Sequence, residues 1–194
     1  REGVNAIDHA AAFIRLYNEL NAQLEGTPHP ILGPANASVT VIEGGTRQNT
    51  IPEACSLIID RRLLPGETHE KADRELDALL LRLKGAIPGI NVTVEVIVAT
   101  VPSETDTASP IAQAALQAAS RATGTRRLPT GFNGGCDMSK LVHIARIPTV
   151  IFGPGSMEQA HAPNEFVALD QLYAAEKAYE AIARLLLNGR KEEE

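Results

Sequence analysis

The residues of this sequence that could do chemistry lie in three places. His161 lies in the stretch Gly153-Pro154-Gly155-Ser156-Met157-Glu158-Gln159-Ala160-His161-Ala162-Pro163-Asn164-Glu165, just after the apolar run 148–152. If that run is a buried strand, the loop sits at its carboxyl end, where open α/β sheets place ligands. A neutral imidazole there suits a metal or a proton transfer, and a capping or surface histidine would fit the same local pattern. Gly134-Gly135-Cys136-Asp137 opens a helix after a glycine-rich stretch. Its backbone N–H groups could hold a carboxylate or oxyanion, the plainer alternative being a glycine turn with an Asp cap. Cys136 could act there as a nucleophile, but no cysteine-protease spacing accompanies it. Asn49 and Arg62 flank a strand-like run, Arg62 closing Asp60-Arg61-Arg62. An Arg fork with an Asn amide can bind a carboxylate, and a salt bridge of Arg62 to Asp60 or Glu53 is the simpler use. His9, His29, His69 and His143 read as structural, and no cluster at metal-ligand spacing joins His161.

The elements that must position these residues follow from periodicity. Residues 5–24 carry one apolar stripe at three- and four-residue spacing, with Asn5 as cap, and predict a helix. Residues 38–43 and 54–64 read as strands, and Thr68 starts a helix running to about Lys84. Residues 91–98 predict a third strand, with Val92, Val94, Val96 and Val98 on one face. The order helix, strand, strand, helix, strand is a split βαβ sandwich of ferredoxin type that lacks its first strand. It implies a three-stranded sheet with one pairing position open or filled by another chain. After a linker at 102–107, Ser109-Pro110 starts a helix to about Thr123. A short strand at 126–128, a helix at 138–145, the buried strand at 148–152 and a closing helix at 170–187 follow. Residues 188–194 read as a charged, frayed tail. The fold class is α/β, its second unit too thin in strands to stand alone.

Composition narrows the function classes. The 194 residues include 44% hydrophobic and 22% charged, which is globular and not disordered. Eighteen Lys and Arg against 24 Asp and Glu leave a net charge of -6, against nucleic acid or an anionic membrane as partner. No apolar run nears the roughly 18 residues of a membrane span. The two distant cysteines, Cys55 and Cys136, argue against a disulfide framework and for a reducing cytoplasm.

Taken jointly and in order, several stretches resemble the M20 metallopeptidase family, in particular its acetylornithine deacetylase / succinyl-diaminopimelate desuccinylase type. They are Gly3-Val4-Asn5-Ala6-Ile7, Asn49-Thr50-Ile51-Pro52 with Asp60-Arg61-Arg62, Gly134-Gly135-Cys136-Asp137, and Ile147 to Gly155 leading to Ala160-His161-Ala162-Pro163-Asn164-Glu165. The resemblance implies that residues 1–101 form a ferredoxin-like lid, or dimerisation, domain lacking its first strand. Residues 102–194 would be the C-terminal part of a zinc-hydrolase α/β catalytic domain. His161 would be a metal ligand, Asn49 and Arg62 would bind the substrate carboxylate, and Gly134 and Gly135 would line the pocket. The implied reaction is hydrolysis of an amide in an N-acyl amino acid or small peptide. It would use one or two zinc ions, with cobalt or manganese as alternatives, in a cytoplasmic homodimer joined through the lid. The remaining ligands and the general base would precede Arg1, so no catalytic residue is assigned within the chain and the chain alone is expected to be inactive. Two other readings stay open on the sequence: a non-enzymatic dimerisation or peptide-binding module using exposed strand edges, and a cysteine hydrolase using Cys136.

Overall fold

Asn5 starts the first helix as its position predicts, its Oδ1 accepting the Ile7 N–H at 3.0 Å. Helix α1 then spans Ala6–Leu24. This computed structural model describes residues 3–188, so the tail beyond Asn188 and the residues before Gly3 lie outside the described residues. Strands β1 (Asn36–Gly44) and β2 (Cys55–Arg62) pair antiparallel, from Gly44 opposite Cys55 to Asn36 opposite Arg62. The register shifts between Val39 and Val41, leaving Thr40 as the extra residue of a bulge. Helix α2 (His69–Ala86) begins at Thr68, whose side chain accepts the Lys71 N–H at 3.3 Å.

The core of this first unit lies between the two helices and the hairpin. Phe13, Tyr17, Ala37, Leu79 and Leu83 are buried, ringed by Leu20, Leu24, Val39, Leu57, Ile59 and Leu76. The rings of Phe13 and Tyr17 stack at 5.6 Å. Asn21 fastens α1 to β1 by accepting the Ala37 N–H at 2.8 Å. His29 does turn work: its Nδ1 accepts the N–H groups of Ile31 and Leu32, both at 3.2 Å.

The third strand anticipated at residues 91–98 does not form, and the sheet has two strands. An extended run becomes a strand only where a neighbour takes up its N–H and C=O groups. Among the described residues no second strand pairs with this run. Val92 packs on the core with Ile87 and Ile90, whereas Val94, Val96, Ile97 and Val98 are 55–80% exposed.

The two compact units of the chain meet at Pro102 and Ser103. In the second, Ser109 Oγ accepts the Ala112 N–H at 3.4 Å and starts α3 (Pro110–Thr123) with Pro at the helix start. Gly124, at φ 68°, ends it in the left-handed conformation that favours glycine. Helix α4 spans Met138–His143 and α5 Leu169–Asn188. Helices α3 and α5 pack together. Their buried residues are alanines: Ala112, Ala114, Ala115 and Ala118 on α3, Ala175 and Ala178 on α5. Leu172 and Tyr179 on α5 are about half exposed because the contact centres on these alanines. The strands expected at 126–128 and 148–152 form no ladder, and residues 148–152 are exposed or half-buried.

Leu83 is 2% exposed in the first core, and Leu81 of the same helix is 74% exposed. Leu83→Ala should lower the unfolding free energy of this unit by about 2–5 kcal/mol. Leu81→Ala should stay within about 0.5 kcal/mol of the parent. Urea denaturation followed by circular dichroism checks both.

Candidate functional site

The loop that carries His161 is anchored by hydroxyl and amide side chains. Thr105 Oγ1 donates to the Thr149 carbonyl at 2.6 Å and accepts the Thr149 N–H at 3.1 Å. Tyr179 on α5 donates to the Phe152 carbonyl at 2.9 Å, and its ring meets Phe152 edge-on at 5.4 Å. Gln171, also on α5, accepts the Gly155 N–H at 2.9 Å. These contacts hold the run 148–155 where a ladder had been expected. A single 3-10 turn, Met157–Gln159, then leads to His161, which is exposed. Its backbone has φ 63°, a left-handed conformation uncommon for a residue other than glycine. Its N–H donates to Glu165 Oε2 at 3.1 Å.

The glycine pair lies elsewhere in the same unit. A Cβ at Gly134 would meet the Phe132 ring, which would have to turn aside, whereas Gly135 faces open space. Both glycines and Cys136 are exposed. Asp137 makes no capping hydrogen bond to α4, contrary to the Asp-cap reading. It pairs instead with Lys140 at 2.8 Å, and that hydrogen bond holds its carboxyl below the ordinary range. A shallow groove bordered by Gln113, Gln117, Arg126, Leu128 and Leu186 contains none of these residues.

In the first unit the hairpin register sets Asn49 and Arg62 apart. Asn49 stands in the loop beyond the Gly44–Cys55 end, and Arg62 closes β2 opposite Asn36. Seven strand steps, about 23 Å at ordinary rise, separate the two ends of β2. Arg62 Nε donates to Asp60 Oδ2 at 2.6 Å in a pair exposed on both sides. Such a pair contributes about 0–1 kcal/mol, so a ligand carboxylate can compete for the guanidinium.

Strand alternation sends Arg61 to the opposite face from Arg62, where it builds a cluster that was not singled out from the sequence. Its guanidinium meets Glu67 at 2.8 Å and Glu75 at 3.0 Å, all three side chains being largely buried. It also donates to the Arg62 carbonyl at 2.6 Å. Glu67 further accepts the Leu64 N–H at 2.9 Å and the Lys71 ammonium at 2.8 Å. Burial alone would raise the Glu67 carboxyl, but the hydrogen bonds from Arg61, Lys71 and Leu64 outweigh it and bring it down to about 2. Burial pushes the Tyr17 hydroxyl up to about 12 despite the nearby Arg61 charge, so it stays protonated and donates to the Asp60 carbonyl at 3.4 Å. The backbone on both sides of Arg61 is thus held by charged or phenolic side chains.

No three His, Cys, Asp or Glu side chains among the described residues converge on a point that could hold a metal. A catalytic zinc keeps three protein ligands and a water. The described residues therefore do not by themselves fit such an ion, and His161 offers at most one donor.

Residues 3–185 match the sequence profile described as peptidase family M20/M25/M40. The chain belongs to this family. As an M20/M25/M40 chain it is 28% identical over 169 residues to the acetylornithine deacetylase of Proteus mirabilis, covering 86% of the chain and 42% of that enzyme. It is 27% identical over 176 residues to a putative succinyl-diaminopimelate desuccinylase, DapE, of Mycobacterium tuberculosis, covering 89% and 45%. Among solved structures, an M20 family metallo-carboxypeptidase, Sso-CP2, from Sulfolobus solfataricus superposes with a TM-score of 0.63 at 21% identity, over 95% of this chain and 46% of that one. The Bacillus subtilis YXEP protein, a dinuclear metal binding peptidase of the M20 family, gives 0.61 at 20% identity, over 95% and 47%. The mixed α/β fold is thus that of M20 peptidases, and the chain spans less than half the length of these relatives. No described helix is long and apolar enough to cross a membrane.

The Glu67 cluster has a pH signature. A carboxyl held near 2 in the folded unit and near 4.5 in the unfolded chain contributes stability that is fully present above about pH 4.5. That contribution is lost as pH falls from about 4.5 through about 2. The urea midpoint of the parent should therefore exceed that of Glu67→Gln at pH 7, and the gap should close across this window. A constant gap would contradict the assignment.

Proposed function

We propose that this chain is the C-terminal portion of a metal-dependent amidohydrolase that cleaves the amide bond of N-acyl amino acids or small peptides. Residues 1–101 are its lid and dimerisation domain, and residues 102–194 belong to its catalytic domain. His161 supplies one ligand to a zinc centre of one or two ions, with cobalt or manganese as alternatives. Arg62 recognises the free carboxylate of the substrate, Asn49 joins it there by the loop before β2 folding back along the strand, and Gly134 and Gly135 line its path. The enzyme works in a reducing cytoplasm as a homodimer joined through the lid.

The family match over residues 3–185 carries this reading, supported by the exposed His161 on its anchored loop. With one imidazole to offer, the chain alone performs no hydrolytic step. Its own contribution is to orient: a charge-assisted hydrogen bond from Arg62 to a carboxylate contributes about 1.5–3 kcal/mol of binding.

The test compares the chain with the complete protein that carries it. The chain alone should bind no zinc at micromolar concentration and cleave no N-acetyl amino acid, whereas the complete protein should do both. In the complete protein Arg62→Ala should raise KM about tenfold to a hundredfold with kcat little changed. A complete, metal-loaded protein that cleaves no amide overturns the proposal.

The exposed stretch from Val94 to Val98 favours a second reading, a dimerisation or peptide-binding module without catalysis. Hydrolysis by the complete protein separates the two, and sedimentation tests the association they share: a strict monomer at high concentration would count against this module and against the lid dimer.

A further inference from the structure

The segment that presents His161 holds an unusual backbone. His161 and Asn164 have φ of 63° and 61°, two left-handed residues other than glycine within four positions. Such a conformation is strained for a residue with a Cβ, less so for Asn than for His. Something local must hold it.

We infer that Glu165 is a positioning residue for His161: its carboxylate grips the His161 N–H and locks the left-handed turn that sets the direction of the imidazole. The inference rests on the reading of His161 as a metal ligand and goes beyond it. Glu165 Oε2 accepts the His161 N–H at 3.1 Å across four residues. The Glu165 N–H itself donates to the Ala162 carbonyl at 3.2 Å, and the Ala162 N–H to the Gln159 carbonyl at 3.0 Å. Pro163 fixes its own φ between them. Of these ties only the carboxylate reaches His161. Glu165 makes no ion pair among the described residues, so the His161 amide is the one polar partner of its side chain there.

An ionised acceptor holds an N–H more strongly than a neutral one, and an amide oxygen in its place keeps part of that hold. A ligand whose Cα and Cβ are held before the metal arrives loses less freedom on binding. Partners of this kind, one step removed from the ion, typically change metal affinity tenfold to a hundredfold when deleted.

The experiment has two arms and uses Glu165→Ala, Glu165→Gln and, as a control in the same loop, Glu158→Ala. In the chain itself, NMR hydrogen exchange of the His161 amide should be slow in the parent and in Glu158→Ala. It should accelerate at least tenfold in Glu165→Ala and be partly restored in Glu165→Gln, whose amide oxygen can still accept. In the complete protein, zinc affinity measured by competition with a chelator should fall tenfold to a hundredfold in Glu165→Ala and recover to within a few-fold in Glu165→Gln. Unchanged amide exchange in Glu165→Ala overturns the inference. So does an unchanged zinc affinity when His161→Ala abolishes binding. If His161→Ala keeps full zinc affinity, it is the ligand assignment that fails, and the exchange arm alone decides whether Glu165 holds the turn.

Discussion

Extended chain becomes sheet only where a second strand answers its N–H and C=O groups, and among the described residues that condition is met at length only between β1 and β2. The architecture of the first unit hangs on that one ladder. Its register places Arg62 opposite Asn36 and leaves Asn49 in the loop at the far end. Helix α1 is fastened to it twice, through Asn21 at Ala37 and through the Tyr17 hydroxyl at Asp60. Helix α2 is fastened through the ion pair of Glu75 with Arg61. A shift of one residue would turn Arg61 outward and Arg62 into the helices, exchanging the structural cation for the exposed one.

The same constraint explains what could be read in advance. Helix starts are local, and Asn5, Thr68 and Ser109 each accept the amide that their positions predict. The hairpin was legible too, because its strands are neighbours in sequence. Residues 91–98, 126–128 and 148–152 have the composition of strands, but composition does not supply a partner. In the last of these, hydroxyls of Thr105 and Tyr179 take over bonds that a neighbouring strand would otherwise make.

The candidate site divides along similar lines. Gly134 was visible as a glycine, but the Phe132 ring packed over it was not. His161 was visible by its place in a loop, but its left-handed backbone was not, since nothing in the letter H signals φ 63°. The Arg61 cluster was hidden for another reason. Glu67 and Glu75 lie 6 and 14 residues beyond Arg61, and only the turn after β2 and the first turns of α2 bring them together. The spacing of Asn49 and Arg62 suggested one carboxylate clamp, whereas the ladder puts them at opposite ends of β2. Either the loop around Asn49 must fold along the strand, or the two residues meet different parts of a ligand.

The two units also differ in how they are held, and the difference bears on the site. The first buries Phe13, Tyr17, Leu79 and Leu83. The second buries alanines between α3 and α5, where each methyl contributes about 0.8 kcal/mol against about 1.5–3 for a leucine or phenylalanine side chain. Small side chains let two helices approach closely but give little apolar stabilisation. The His161 loop therefore leans on polar ties, from Tyr179 and Gln171 at its start and from Glu165 at its end. Polar ties fix direction better than apolar contact does, because a hydrogen bond weakens steeply with angle. A residue that must aim one imidazole is better served by such ties than by a larger core.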